Sequence, residues 1–276
     1  MGGGRRAAAV LLTSAVAVAL ASCGGPSEHA ADSAATSSPS TAAGATGTAS
    51  TSSATVALGD SVPAGAACEC TPFPELTATS LTTAGPGPVS AANDAVSGYT
   101  SSDVVGQLSS DATAESDVAH ADAVEVEVGA NDVPYGPPCG TTVSCYQKEV
   151  PAIEQNLEQV VARIHALAQP HPVVVVLLDY WSVWLGGQYA QSKGPAYVDA
   201  AAAVTADVNT VIRTTAAATG SAYVDLRAAF KGPDYSYDET HYLAPDGDHP
   251  NAAGHQQIAA ALTGVLGPRL AAPPST

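Results

Sequence analysis

Short β-rich runs alternate with longer helical ones through the middle of the chain. The strand candidates are "TVAL" (55–58), "NDAV" (93–96), "AVEVEV" (123–128), "PVVVVLLDY" (172–180) and "AYVDL" (222–226). The fourth is almost wholly Val and Leu, the composition of a strand covered on both faces. Helical spacing predicts helices over about 101–109, 149–168, 196–218 and 251–266. In the second of these, Val150, Ile153, Leu157, Val160, Val161, Ile164 and Leu167 recur on one face. In the last, Ile258, Leu262 and Leu266 line one side behind an opening Pro250-Asn251. No internal repeat interrupts this order.

Alternation of this kind implies an α/β fold, a parallel sheet with helices packed on both faces. For five strands the expected arrangement is the flavodoxin-like order 2-1-3-4-5. That order places strand 1 between strands 2 and 3. The loops that follow all three then meet at the carboxyl edge, where open α/β sheets bind their ligands.

The two ends do not follow the pattern. Residues 1–23, "MGGGRRAAAVLLTSAVAVALASC", carry two arginines, an apolar run and then small residues, the layout of an export signal. The apolar run is short for a membrane span and lacks a stop-transfer flank. Leu20-Ala21-Ser22-Cys23 resembles a bacterial lipobox, which would make Cys23 the lipidated first residue of an exported, membrane-anchored or secreted chain. Residues 24–53 are nearly all Ser, Thr, Ala, Gly and Pro, too poor in apolar surface to offset the entropy of ordering, and read as a disordered tether. The folded domain is therefore expected over 54–268, with 269–276 as a tail.

Charge narrows the choice of partners. Nine Lys and Arg face 26 Asp and Glu, a formal −17, and loss of Arg5 and Arg6 with the signal makes the balance more negative still. No basic cluster remains, which argues against nucleic acid and against anionic headgroups as partners. Membrane contact is expected only through the anchor, and the chain is expected to act as a monomer.

Besides Cys23 there are Cys68, Cys70, Cys139 and Cys145. An even number in an exported chain predicts two disulfides, with three possible pairings. Cys139 with Cys145 is the easiest closure, while links from Cys68 or Cys70 to Cys139 or Cys145 stay open. The spacing is not that of a zinc ribbon and no histidine lies among the four, so bridges are favoured over metal.

Chemistry gathers at the strand ends. Gly59-Asp60-Ser61 follows strand 1, Ser97-Gly98 follows strand 2, and "GAND" (129–132) follows strand 3. Late in the chain "DGDHPN" (246–251) precedes the last helix. A serine hydroxyl becomes a useful nucleophile only beside a base that a third group orients. Asp246 and His249, three residues apart in a turn, suit the orienter and the base. The Ser61 and Gly98 N–H groups and the Asn131 side-chain amide could serve as an oxyanion hole. Asp60 and Asp132 read as loop-holding residues, and Gly65 as a tight turn.

Each motif alone is weak, since a serine before a helix is most often a cap and Asn and Asp favour turns for their own hydrogen bonds. Together and in order, Ser61, Gly98, Asn131 and His249 resemble the SGNH (GDSL-type) hydrolase superfamily. "GDSVPAG" matches its G-D-S-x-x-x-G block, with Val62 where the older motif name has Leu, and "VSGYTSSDV", "GAND" and "DGDH" match the others. The resemblance implies a three-layer α/β/α sandwich, ester hydrolysis through an acyl-enzyme at Ser61, and no metal or other cofactor. It makes the partner a small-molecule, glycan or lipid ester. Acyl transfer to a glycan and non-catalytic carbohydrate or lipid binding are the alternatives. The G-x-S-x-G elbow of ordinary α/β-hydrolases is absent around Ser61.

Other residues have blander readings. "YDETHYLAPDGDH" (237–249) concentrates Asp238, Glu239, His241, Asp246, Asp248 and His249, expected as a solvated acidic loop rather than a metal site. His255 is expected on the last helix, at the surface or in helix packing. Tyr180, Trp181 and Trp184 follow strand 4 and are candidates for an acyl or sugar pocket or for loop packing.

Overall fold

In the computed structural model, residues 52–85 and 87–271 are described. The export signal, Cys23 and nearly all of the proposed tether lie outside the described residues, as does most of the tail. Five parallel strands, β1 (Ser53–Gly59), β2 (Val89–Asn93), β3 (Ala123–Glu127), β4 (Val174–Leu178) and β5 (Ala222–Val224), form one sheet. Its order is β2-β1-β3-β4-β5, as the alternation of elements predicted.

Helices cover both faces. Helices α2 (Ser101–Ser110), α3 (Ala112–Ala119), α5 (Val150–Ala168) and α7 (Pro195–Thr219) lie on one side. There Val56, Leu58, Val124, Val126, Val175 and Leu177 of the sheet meet Leu108, Ile153, Leu157 and Val208. Helices α1 (Phe73–Ala84), α8 (Leu226–Lys231) and α9 (Ala252–Leu270) cover the other, around Phe73, Val176, Leu178, Phe230, Ile258 and Leu262. Two short helices, α4 (Val143–Tyr146) and α6 (Gly187–Gln191), lie in loops beyond β3 and β4.

The second strand departs from expectation. "NDAV" (93–96) overlaps β2 only at Asn93, because the chain has already reached the sheet edge there. The Asp94 and Val96 N–H groups still bond to the carbonyls of Ala57 and Gly59, at 2.9 and 3.0 Å, but the segment is turning away. The true strand, "VSAAN", is small and polar, as suits an edge strand with one hydrogen-bonding neighbour. Helices α1 and α3 carry no strong apolar stripe in sequence and were not predicted.

Each strand side chain faces the layer opposite its neighbours', so β3 divides sharply. Val124 and Val126 face the α5 layer, while Glu125 and Glu127 point to the other side, each at 1% exposure or less. Neither carboxyl has a hydrogen-bond partner among the described residues. Burial pushes both well above the usual carboxylate range, aided by Glu75 for Glu125 and by Asp60 and Asp179 for Glu127.

Candidate active site

β1 ends on a glycine for a steric reason. Gly59 has φ +141°, and a Cβ there would lie 2.0 Å from the Glu127 carbonyl oxygen. The chain thus turns tightly against β3, and the Asp60 N–H donates to that same carbonyl at 3.1 Å. This turn sets Ser61 just above the carboxyl edge of the sheet.

His249 comes from a loop built around a second close approach. Gly247 has φ +77°, and a Cβ there would lie 2.4 Å from the Tyr189 ring. The loop is closed by Ala244 N–H to the His249 carbonyl at 2.8 Å and by a Leu243–Pro250 bridge. Asn251 then caps α9, accepting from the Ala253 and Gly254 N–H groups at 2.8 and 3.1 Å. Its amide holds the carbonyls of His241 and Leu243, each at 2.9 Å.

The two loops bring the expected groups together. Ser61 Oγ lies 2.8 Å from His249 Nε2, and His249 Nδ1 lies 2.7 Å from Asp246 Oδ2. The Asp246 Oδ1 accepts the N–H groups of Asp248 and His249, both at 3.1 Å. Partial burial alone would raise the Asp246 pKa. The bonds from His249 and Asp248, with the His249 charge, outweigh it and hold the carboxyl below its ordinary range. The geometry can pass a proton from hydroxyl to imidazole and keep the imidazole oriented.

The proposed oxyanion donors lie on three loops. Among the described residues neither the Ser61 nor the Gly98 N–H has an intramolecular partner. Asn131 gives one amide hydrogen to the Tyr99 carbonyl at 3.0 Å, which fixes the side chain and leaves the second hydrogen unassigned. Gly98 has φ +88° with no heavy atom within 4 Å of an added Cβ. Ser61 and Asn131 line the cavity described below, and Gly98 is exposed outside its lining.

Both loop-holding acids are anchored. Asp132 accepts the Ser101 N–H at 2.9 Å and the Ser101 hydroxyl at 2.6 Å, tying the Asn131 loop to the start of α2. Asp60 accepts the Val62 N–H at 3.0 Å and the Tyr180 hydroxyl at 2.6 Å. Burial raises its carboxyl to about 6, against the lowering effect of those two bonds and of His249.

A cavity of about 350 Å³ opens beside Ser61 and His249. Tyr180, Trp181 and Trp184 all line it, together with Tyr135, Tyr197, Lys193 and Asp248. Trp184 is buried, donates to the Val133 carbonyl at 2.7 Å and is met edge-on by Tyr135 at 5.0 Å. Trp181 stacks on Phe230 at 4.3 Å, so it is a wall of the cavity and part of the core at once. Tyr135 and Tyr197 were not singled out in the sequence. They reach the cavity from the loop after "GAND" and from the start of α7.

Two readings left open in the sequence are decided by the structure, and one needs correction. His255 lies on α9 as expected and takes the second of its two expected places: it is fully buried in the packing of α9 on α1 and accepts the Phe73 N–H on Nδ1 at 3.2 Å. Burial, with the charge of His249, lowers its pKa to about 4, so the ring is neutral. The acidic segment is not wholly solvated, since Glu239 is 2% exposed and pairs with Lys231 at 2.6 Å. Two disulfides are present, as expected: Cys139–Cys145, the closure read as easiest, and Cys68–Cys70, so of the pairings left open the links between the two pairs are not formed. A ring nitrogen of His255 lies within 4.8 Å of both sulfurs of the first pair, but those sulfurs are bonded to each other rather than free as ligands.

Fold and site define an SGNH-type hydrolase. Residues 57–257 match the GDSL-like lipase/acylhydrolase family, and the chain belongs to it. Such a family, with this site, is one of carboxylic ester hydrolases. Solved structures with the same fold include a lipase from a goat-rumen metagenome, 18% identical with a TM-score of 0.58. The match covers 77% of this chain and 96% of that one. An extracellular lipase from Streptomyces rimosus is 22% identical, TM-score 0.56, covering 77% and 99% of the two chains. A mutant acetyl-xylooligosaccharide esterase from Geobacillus stearothermophilus is 20% identical, TM-score 0.55, covering 79% and 96%. No curated protein matches the chain.

Proposed function

We propose that the protein is an exported serine esterase that cleaves carboxylic esters through an acyl-enzyme on Ser61. The observation that carries this reading is the continuous path Ser61 Oγ–His249 Nε2–His249 Nδ1–Asp246 Oδ2, with steps of 2.8 and 2.7 Å. His249 Nε2 takes the Ser61 proton as Oγ bonds to the ester carbonyl carbon. The resulting oxyanion is received by the N–H groups of Ser61 and Gly98 and by the Asn131 amide. Collapse breaks the bond to the alcohol, which leaves with the proton from His249. Water then gives its proton to His249 and its oxygen to the acyl carbon, and the acid departs as Ser61 regains its proton.

The aromatic walls beside Ser61 favour a compact acyl group or a sugar ring packed against Trp184, Tyr135 and Tyr197. Esters of cell-envelope or environmental glycans, or of lipids, are the proposed substrates. Lipidation of Cys23 would hold the domain on the outer face of the membrane by the tether. Hydrolysis of p-nitrophenyl acetate by wild type and by Ser61→Ala tests the reading. A turnover that disappears in the variant is expected, and equal rates would overturn it.

A further inference from the structure

Of the aromatic residues that line the cavity, Tyr180, Trp181, Trp184 and Tyr197 are each 4% exposed or less. They form walls with little surface left for a ligand to cover. Tyr135 lines the same cavity and is 47% exposed. Its ring meets Trp184 at 5.0 Å and Tyr197 at 4.8 Å, both edge to face, so it is fixed without being covered.

The segment that carries Tyr135, residues 133–147, is held at several points. The Trp184 indole N–H donates to the Val133 carbonyl at its start, at 2.7 Å. At its end Gln147 Nε2 donates to Asp207 Oδ2 of α7 at 2.9 Å. Between these points the Cys139–Cys145 disulfide closes the loop. The Tyr146 hydroxyl bridges it, donating to the Gly140 carbonyl at 2.9 Å and accepting the Gly136 N–H at 3.4 Å. Tyr146 itself is outside the cavity lining, its ring edge-on to Trp184 at 4.7 Å. Pro134, Pro137 and Pro138 stiffen the backbone on either side of Tyr135. A surface fixed before binding loses little conformational entropy when a ligand settles on it.

The polar groups of the cavity narrow the choice of ligand. Lys193, just before α7, and Asp248, on the histidine loop, both line it. Among the described residues neither side chain has a hydrogen bond or an ion pair. A lysine only donates and an aspartate carboxylate only accepts. Sugar hydroxyls do both, and the C–H face of a pyranose packs on an aromatic ring by apolar contact. An alkyl chain would match neither the donor nor the acceptor.

We propose that Tyr135 is a specificity-determining residue, a platform held by the Cys139–Cys145 loop for the sugar ring of an acylated glycan, whose hydroxyls Lys193 and Asp248 receive. The proposal rests on the reading of Ser61 as the nucleophile and selects glycan esters over lipid esters as its substrates.

The experiment follows acid release from 6-O-acetylglucose, ethyl acetate and tributyrin, with fluorophosphonate labelling of Ser61 in parallel. Wild type should cleave the sugar ester with a higher kcat/KM than either of the others. Tyr135→Ala should lower the ratio of sugar ester to ethyl acetate about three- to tenfold, mainly through KM. Tyr135→Phe should keep the ratio, since the ring and not its hydroxyl makes the contact. Tyr146→Phe leaves every lining side chain in place but frees the loop, and should lower the ratio by a smaller factor. A wild type that prefers tributyrin, or a ratio that Tyr135→Ala leaves unmoved, overturns the proposal. So does a Tyr146→Phe variant that loses rate equally on all three esters, which is what a merely structural loop would give. Thermal melts of each variant separate loss of fold from a change in selectivity. Failure of Ser61 to label in the wild type would remove the esterase reading and this proposal with it. Labelling with an unmoved ratio would remove the proposal alone.

Discussion

The Ser61 hydroxyl and the His249 imidazole, 188 residues apart in the chain, stand 2.8 Å from each other across the carboxyl edge of the sheet. The strand order accounts for that meeting. β1 lies between β2 and β3, so its trailing loop is central, and the α9 loop returns over the same edge. Two glycines that tolerate no side chain set the approach angles of the two loops.

The carboxylate that orients His249 is exposed, and this sets the ranking of the site variants. Ser61→Ala and His249→Ala should each lower kcat by at least about 10⁴-fold. Asp246→Asn should cost less, because solvent screens the charge it removes. Steady-state rates for the three variants check the order. An Asp246→Asn defect as deep as that of Ser61→Ala would contradict it.

Asn131 offers a separable test of the oxyanion donors. Asn131→Ala should lower kcat by about 10²- to 10³-fold with KM nearly constant, the signature of a donor used only in the transition state. A change confined to KM would place the amide in ground-state binding instead.

Gly59 and Gly98 both have positive φ but differ in their surroundings. Gly59→Ala drives a Cβ into the Glu127 carbonyl and should cost at least about 3 kcal/mol of stability. Gly98→Ala meets nothing within 4 Å and should cost only the backbone term, about 1 kcal/mol. Urea unfolding of the two variants measures both, and similar losses would contradict the difference in packing.

Glu127 predicts a pH dependence of stability. Burial raises its folded pKa well above the ordinary 4.5 of the unfolded chain. Between those values the folded state keeps a proton that the unfolded state has lost, so stability falls as pH rises. Glu127→Gln removes this term. The urea midpoint of the variant should fall less than that of wild type from about pH 5 to about pH 8. Parallel slopes would show that Glu127 ionises normally in the folded protein.

Much of this was legible in the sequence, and the exceptions have physical causes. β4 declares itself as an unbroken Val/Leu run, and α5 by its apolar stripe. β2 does not, because an edge strand of Val, Ser and Ala has little to bury. Helix α1, "FPELTATSLTTA", is rich in Thr and Ser and is held by packing on α9 rather than by intrinsic propensity. Ser61, Asn131, Asp246 and His249 could be found because each sits in a short motif at an element boundary. The Asp60–Tyr180 bond could not, because its partners are 120 residues apart and an ordinary strand-end tyrosine gives no local sign of it. The choice between the two places for His255 stayed open for a similar reason, since α1, which covers it, was itself not foreseen.

The most direct measurement is to treat the purified protein with a fluorophosphonate and locate the adduct by peptide mass spectrometry. A single phosphonyl group on Ser61, lost in His249→Ala and in Ser61→Ala, is the predicted result. An unmodified Ser61 in folded wild-type protein, or an adduct that persists without His249, would contradict the account.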